Sequence, residues 1–431
     1  MRKLGGSFKW LYPGMNVKRW LALVPIGMFV CILGIVLIAN IRVLDVAEWL
    51  APLLLERFGI DLSAPKTAVL IGAALILLGL LVIFFSFRQV VTSIANVLMP
   101  DRKGSLGEMI YQRRSLAQGQ RIVVIGGGTG LSTMLRGLKE YTSNIVAIVT
   151  VTDDGGSSGR LTRERGILPP GDIRNCLVAL ADAEPLMQQL FQYRFGANDV
   201  NTQDHSFGNL LIAALTDITG DFEMAVKETS KVLAIRGRVF PSTVQNVTLC
   251  AELEDGTLAE GETKIAASGK AIRHVFLHPA DVKPLNEALQ ALALADIIVL
   301  GPGSVFTSII PNLLVNGIAE AIANSDAIKI YVCNVMTQPG ESDGFTASDH
   351  IRAIINHSDK KLFTHVLVNR ERPREELLEK YRQEHADLVV PDVEKIREIG
   401  FRPHLANLIS QTQVVRHDPE RLAQAIFKLA S

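Results

Sequence analysis

Two runs without a charged residue, 20–41 (WLALVPIGMFVCILGIVLIANI) and 68–87 (AVLIGAALILLGLLVIFFSF), constrain this chain more than anything else in it. As helices each is about 30 Å long, the thickness of a bilayer's hydrocarbon core. The bland alternative for both is a pair of buried core helices. A cleaved signal peptide does not fit, because the first run is too long and no A-x-A site follows it.

The basic residues set the orientation. Arg2, Lys3, Lys9, Lys18 and Arg19 precede the first run, and Arg88, Arg102, Lys103, Arg113 and Arg114 follow the second. The connector between them sets three basic residues against Asp45, Glu48, Glu56 and Asp61. The positive-inside bias therefore places both ends in the cytoplasm and the connector outside. Within the connector, 46–60 (VAEWLAPLLLERFGI) is expected to lie along the interface as a helix. The expected organisation is a cytoplasmic tail (1–19), a transmembrane helix (20–41), an external connector (42–67), a transmembrane helix (68–87), a linker (88–120) and a cytoplasmic domain (121–431).

Composition mainly excludes. Lys+Arg and Asp+Glu are equal at 44 each, and no basic block exceeds the juxtamembrane cluster, which argues against nucleic acid as a partner. Cys31, Cys176, Cys250 and Cys333 are scattered with no C-x-x-C, a pattern that suits a reducing compartment and offers no metal knot. His274 and His278 have the i, i+4 spacing of a metal-binding helix, but HVFLHP has the texture of a strand. The sequence supports no Ser-His-Asp or Cys-His arrangement.

Beyond residue 120, short apolar strands alternate with helical patterns. Strands are expected at 121–125, 145–152, 297–300, 329–335 and 365–368, and helices at 131–141, 171–182, 185–193, 281–295 and 309–324. A hairpin is expected around Asp255-Gly256, and 371–398 is charged and helical, a peripheral cover. This rhythm predicts an α/β fold: a mostly parallel, Rossmann-like sheet covered by helices on both faces and preceded by the two transmembrane helices.

In such a sheet, ligands collect outside the carboxyl ends of the strands. Four loops there stand out. Gly126-Gly127-Gly128-Thr129-Gly130 follows RIVVI and opens a helix, so its amides can approach a phosphate. It is neither a complete G-x-G-x-x-G fingerprint nor a P-loop, since no Lys follows the last Gly. The second, Asp153-Asp154-Gly-Gly-Ser157-Ser158-Gly-Arg160, puts two carboxylates beside a glycine-rich nest and a fixed cation. Carboxylates next to a phosphate repel it unless they face hydroxyls, a base or a divalent ion. Asp153 and Asp154 are thus candidates for Mg²⁺ or for a sugar, with helix capping as the bland alternative. The third loop, PPGDIRN, carries Asp172, Arg174 and Asn175, and capping accounts for Asp172 alone. The fourth, with Gly301, Gly303 and Ser304, repeats the anion-loop logic after IIVL. HSFGN adds Asn209 at a further helix start.

With these loops in place, GGGTGLS, TVTDDGGSSGRL, PPGDIRNCL, HSFGNL, GPGSVFTSIIPNLL and NVMTQPGES, in this order, resemble the YvcK group of the CofD-like proteins from 121 to the C-terminus. The hydrophobic hairpin departs from the soluble form of that group. The resemblance implies binding of a UDP-sugar, UDP-N-acetylglucosamine or UDP-glucose, and a role linking gluconeogenic growth to envelope synthesis and cell shape. The two apolar runs add an expected location at the bacterial inner membrane, with envelope-synthesis proteins or a second copy of the chain as expected partners. Residues 126–130, Asp153, Asp154, Ser157, Ser158 and Arg160 would cradle the ligand. Asp172, Arg174, Asn175, Asn209, Gly301, Gly303, Ser304, Asn334, Thr337 and Gln338 would complete the walls. CofD-type chemistry, a Mg²⁺-dependent transfer onto a deazaflavin, is the competing implication. The domain's lack of a Trp or Tyr cluster favours a sensor, with no cofactor certain and Mg²⁺ the candidate.

Overall fold

The computed structural model describes residues 17–39, 56, 65–98, 106–182, 185–196, 204–411 and 414–430, in two compact units, Met1–Gln112 and Arg113–Ser431. Apart from Glu56, the expected interfacial helix at 46–60 lies outside the described residues.

In the first unit both apolar runs are helical. The apolar stretches Arg19–Ile38 and Lys66–Ser93 are each long and apolar enough to cross a membrane. They pack against one another through glycines. A Cβ on Gly27 would lie 2.9 Å from the Gly79 carbonyl oxygen, and one on Gly34 would lie 2.6 Å from that of Gly72. Large side chains such as Phe29, Ile32, Leu70, Phe84 and Phe87 point outward, and all are exposed. Within this unit the hairpin hides its glycines and displays its hydrocarbon. The second helix, Pro65–Leu98, runs past the expected end of the apolar segment, and much of the expected linker is helix too, Leu106–Ala117.

The second unit is built on strands β1 (Ile122–Gly126), β2 (Ile145–Val149), β3 (Arg238–Pro241), β4 (Thr248–Leu253), β5 (Leu258–Glu260), β6 (Ile272–His278), β7 (Ile297–Leu300), β8 (Ile328–Val332), β9 (His365–Asn369) and β10 (Arg402–Ala406), with a small hairpin, β11 (Ile409–Gln411) and β12 (Val415–His417). Seven of these pair in parallel in the order β10-β9-β8-β7-β1-β2-β3. The central strands are buried on both faces, which explains why they appear as continuous apolar runs rather than alternating ones. Alternate residues serve different cores. Ile122 and Val124 face the helices Gly128–Leu138, Gly171–Leu180 and Pro419–Ala430. Val123 and Ile125 face the helices Asn286–Leu294 and Ala347–Ser358 and the antiparallel sheet β5-β4-β6.

Some expected elements change shape. The helix expected at 309–324 is broken. A π-turn, Val305–Ile309, leads into Ile310–Leu313, and Gly317, with φ +83°, redirects the chain into Ile318–Asn324. The expected cover 371–398 is two helices, Glu375–Gln383 and Val393–Glu398, with extended chain between them. The helix expected at 281–295 begins only at Asn286. His274 and His278 both lie on β6, as their context suggests.

The strand order reverses between β1 and β7: from β1 the chain builds outward to β2 and β3, then returns to lay down β7 to β10 on the other side. The crevice outside the carboxyl ends of β1 and β7 is therefore the topological switch point, the place where open parallel sheets bind ligands.

Candidate functional site at the switch point

The two glycine loops meet at this crevice. After β1, Gly127 is extended and precedes the helix Gly128–Leu138, whose first-turn amides lack intrahelical acceptors. After β7, Gly301-Pro302-Gly303 turns back against it. A Cβ on Gly130 would sit 2.6 Å from the Pro302 carbonyl oxygen, and one on Gly303 3.4 Å from that of Gly127. At Gly130 only glycine permits so close an approach. Ser304 then caps the π-turn by accepting from the Thr307 amide at 3.1 Å, while its hydroxyl donates to Glu341. The Ile309 amide donates to the Ser304 carbonyl at 2.9 Å, five residues back, the register that defines a π-turn and that recurs at functional sites.

Asn334, on the loop after β8, accepts from the Gly303 amide at 3.0 Å and so ties a third loop to the other two. Together they line a cavity of about 370 Å³. Of the candidates from sequence, Thr129, Gly130, Gly303, Ser304, Asn334, Thr337 and Gln338 line it. Its far side is made by Met336, from the NVMTQPGES motif, and by residues that no motif marks: Tyr381, Glu384, Val415, Arg416 and His417. Tyr381 is held by its hydroxyl, which accepts from the Val415 amide at 3.2 Å. His417 is enclosed, and burial pushes its imidazole down to about 4, so it stands neutral at the cavity wall with Nε2 unpaired.

The remaining candidates gather on the β2 side of the crevice. The stretch that reads as a glycine nest is largely a helix, Gly156–Arg165, capped by Gly155. Asp153 and Asp154 part company ahead of it. Asp153 accepts from the Gly155 amide at 3.0 Å and leans toward Gly171, where an added Cβ would meet its Oδ2 at 3.0 Å. Asp154 instead accepts from the amide and hydroxyl of Thr263, at 2.9 and 2.7 Å, as a capping carboxylate does. Asp172 reaches across to accept from the Gly128 amide and so joins the two sides of the crevice. Burial, and then the charge of Asp153, push its carboxyl up to about 7.

Ser157 and His205 are brought together: Ser157 Oγ lies 2.9 Å from His205 Nδ1 and accepts from Asn209 Nδ2 at 3.0 Å. The sequence alone supports no such Ser–His contact, because 48 residues separate the two. Burial and the neighbouring Arg160 lower the His205 imidazole, so it is neutral near pH 7. Ser158 accepts from the Gly171 amide at 3.1 Å. Arg174 is 7% exposed and its guanidinium is committed to Ser206 and to Asn175, the latter at 2.8 Å. It fastens the HSFGN turn in place. Arg174→Met should therefore lower the unfolding free energy by about 1.5–3 kcal/mol, the worth of charge-assisted hydrogen bonds. Thermal melts of the full chain in detergent would measure it, and the loss should exceed any direct loss of ligand affinity.

Two carboxyls outside the candidate set lie beside this group: Glu341, within the NVMTQPGES motif, and Glu262, which no motif marks. Glu262 begins the helix Glu262–Ala267, and burial, then the charges of Asp153, Asp172 and Glu341, push its carboxyl up to about 9. Glu341 is 9% exposed, and burial raises its carboxyl above the usual range. Among the described residues no three His, Cys, Asp or Glu side chains converge as a metal site. Asp153 and Asp172 do suit an ion that takes one or two carboxylates and draws its other oxygens from water and phosphate, which is the habit of Mg²⁺.

Fold and crevice together define a doubly wound α/β protein that presents glycine-loop amides at its switch point. Residues 122–409 match the family described as 2-phospho-L-lactate transferase CofD. The chain belongs to the CofD family. A chain from Nostoc sp. is 48% identical over 424 residues, covering 98% of this chain and 92% of its own length, so the likeness takes in the N-terminal hairpin. The "Gluconeogenesis factor" of Bacillus subtilis is 47% identical over 316 residues, 73% of this chain and 99% of its own. The crystal structure of a UPF0052 family member from Bacillus halodurans superposes with a TM-score of 0.70 at 49% identity, covering 72% of this chain and 99% of that one.

Proposed function

We propose that the protein is a membrane-anchored sensor of a UDP-sugar, UDP-N-acetylglucosamine or UDP-glucose, which couples gluconeogenic growth to envelope synthesis and cell shape. The observation that carries this reading is the composition of the 370 Å³ cavity. One end offers first-turn helix amides from Thr129 and Gly130, suited to a diphosphate. The other offers Tyr381, Met336 and Val415 for a base or sugar face, with Arg416 as a cation at the rim. A nucleotide-sugar has both kinds of surface. The name of the Bacillus subtilis relative supports the metabolic side of the reading. The apolar hairpin supports anchoring, and the flanking basic residues favour a domain on the cytoplasmic face of the inner membrane.

Calorimetric titration of the full chain in detergent with UDP, UDP-glucose, UDP-N-acetylglucosamine and the matching adenosine compounds tests the reading. Uridine compounds should bind and adenosine compounds should not; equal binding of both, or of neither, would sink it. Arg416→Ala should weaken UDP and UDP-sugar alike by about 1–1.5 kcal/mol, roughly five- to tenfold, because the side chain is exposed and its charge screened.

A second reading, a CofD-type transferase, is favoured by the family description and by the Ser157–His205 contact. Mg²⁺, held by Asp153 and Asp172, would supply charge neutralisation to a phosphate in that case. Incubation with UDP-N-acetylglucosamine and Mg²⁺ separates the two. A sensor returns the ligand intact, whereas release of UMP, UDP or free sugar at a protein-dependent rate identifies a transferase.

A further inference from the structure

The sheet has a second hollow, at the edge opposite the glycine loops. Around the first residues of β1, β2 and β3, beside the helix Asn286–Leu294, lies a cavity of about 410 Å³ that shares no residue with the crevice. Its inner surface is apolar. Val123, Val146 and Ala291 are buried there, and Leu294, in the last turn of the helix, is 60% exposed. Glu287, Gln290, Ala291 and Leu294 recur at i, i+3, i+4 and i+7, so one stripe of the helix faces the cavity. An apolar hollow with a few convergent polar groups is the common form of a small-molecule site.

Part of the polar rim is committed within the fold. The Arg121 guanidinium clasps Asp296 through two nitrogens, at 2.6 and 3.2 Å. Asn144 donates its side-chain amide to the carbonyls of Ala117 and Gly119, at 2.9 and 2.7 Å. Two charged residues on the rim are not committed. Arg238 and Glu287 both line the cavity, yet among the described residues neither forms an ion pair or a side-chain hydrogen bond, with the other or with any other group. The Arg238 guanidinium rests instead 5.6 Å from the centroid of the Phe240 ring, on its own strand. The charge of Glu287 reaches Glu223, whose carboxyl is pushed up by burial and then by that charge. One cavity thus presents a cation and a carboxylate that do not neutralise each other. A plain anion entering there would face Glu287, and a plain cation would face Arg238. A molecule that carries both charges finds a partner for each.

We propose that this cavity is a second ligand site, which takes an α-amino acid with an apolar side chain. Arg238 receives the carboxylate, Glu287 receives the ammonium, and the side chain lies against Val123, Val146, Ala291 and Leu294. The inference goes beyond the nucleotide-sugar reading and does not depend on it. The flat fork of a guanidinium matches a carboxylate in two parallel hydrogen bonds, which sets the head of the ligand. Gln290, one turn along the helix from Glu287, adds an amide that can serve either head group. A phosphate monoester fits less well, because it brings two negative charges to one uncommitted cation and none to satisfy the acid.

The test is calorimetric titration of the full chain in detergent with L-leucine and L-phenylalanine. Alongside them run the two halves of leucine, 4-methylpentanoate and 3-methylbutylamine, and inorganic phosphate. At least one amino acid should bind, and each half-molecule and phosphate should bind about tenfold more weakly or not at all. R238A and E287Q should each weaken the amino acid by about tenfold or more. Both side chains are exposed, so these substitutions leave the core untouched. Absence of binding by both amino acids would overturn the proposal. So would a half-molecule or phosphate that binds as tightly as the amino acid, or an affinity unchanged in either variant.

Discussion

Gly130→Ala should cost about a hundredfold in nucleotide-sugar affinity while leaving the chain folded. Local propensity points the other way. Gly130 lies inside the helix Gly128–Leu138 with an ordinary helical φ, where alanine should stabilise by about 0.5–1 kcal/mol. Packing overrides it. The new methyl would meet the Pro302 carbonyl oxygen at 2.6 Å and the carbonyl carbon at 2.9 Å. These are backbone atoms, and no rotamer can move them aside. The two glycine loops must part, at an overpacking cost of about 1–3 kcal/mol, and the ligand that bridges them loses its geometry. The affinity loss should appear for UDP and UDP-sugar equally, since both need the diphosphate seat. A fall of less than about threefold, with melting unchanged, would show that the loops do not act together on the ligand.

The sequence announces one half of this crevice and hides the other, for a physical reason. A loop that must bring backbone amides to a ligand has few chemical options, so GGGTG and GPGS are visible as strings of glycine. Asn334 and Gln338 are visible because a polar turn closes an apolar strand. Tyr381, Arg416 and His417 carry no such mark. They come from a charged helix and from a three-residue strand, and only tertiary packing brings them to the cavity. Glu262 is hidden in the same way, in a hairpin excursion whose turn the sequence shows but whose docking it does not. Strand β3, RVFP, is four residues long and ends in proline, which demotes it in any pattern although it pairs in register with β2. The DDGGSSGR stretch misleads through composition. Three glycines argue for a loop, yet Gly155 and Gly156 form the helix start and Gly159 is required by contact, since a Cβ there would lie 1.8 Å from the Asp154 carbonyl oxygen. Glycine marks both flexibility and tight packing, and the sequence cannot say which.

Gly34→Leu should pull the N-terminal hairpin apart, and Ile35→Leu, one residue along, should not. Gly27 and Gly34 are seven residues apart on the helix Leu23–Ile38, as are Gly72 and Gly79 on Pro65–Leu98, so each pair recurs on one face of its helix. The pairs meet reciprocally. Gly27 lies against the Gly79 carbonyl and Gly34 against that of Gly72, while Cβ atoms on Gly72 and Gly79 would lie 2.7 and 2.6 Å from the oxygens of Gly34 and Gly27. In hydrocarbon there is no hydrophobic drive between helices, so close backbone approach at small residues supplies the attraction. A leucine at 34 would put its Cβ 2.6 Å from the Gly72 carbonyl oxygen and 3.0 Å from the Ile76 amide, both of them backbone. The helices would have to separate along that face, at an overpacking cost of about 1–3 kcal/mol plus the packing forfeited. Ile35 is 54% exposed, so its replacement touches none of this. Cys31 reports the outcome. Its Sγ lies 3.6 Å from the Ile76 carbonyl oxygen, in the seam, whereas Cys176, Cys250 and Cys333 are buried in the other unit. In detergent, a small apolar maleimide should label Cys31 faster by an order of magnitude or so in Gly34→Leu than in the wild type or in Ile35→Leu, following the exposure of the thiol. Equal labelling rates in all three would mean that the glycine faces do not hold the hairpin together.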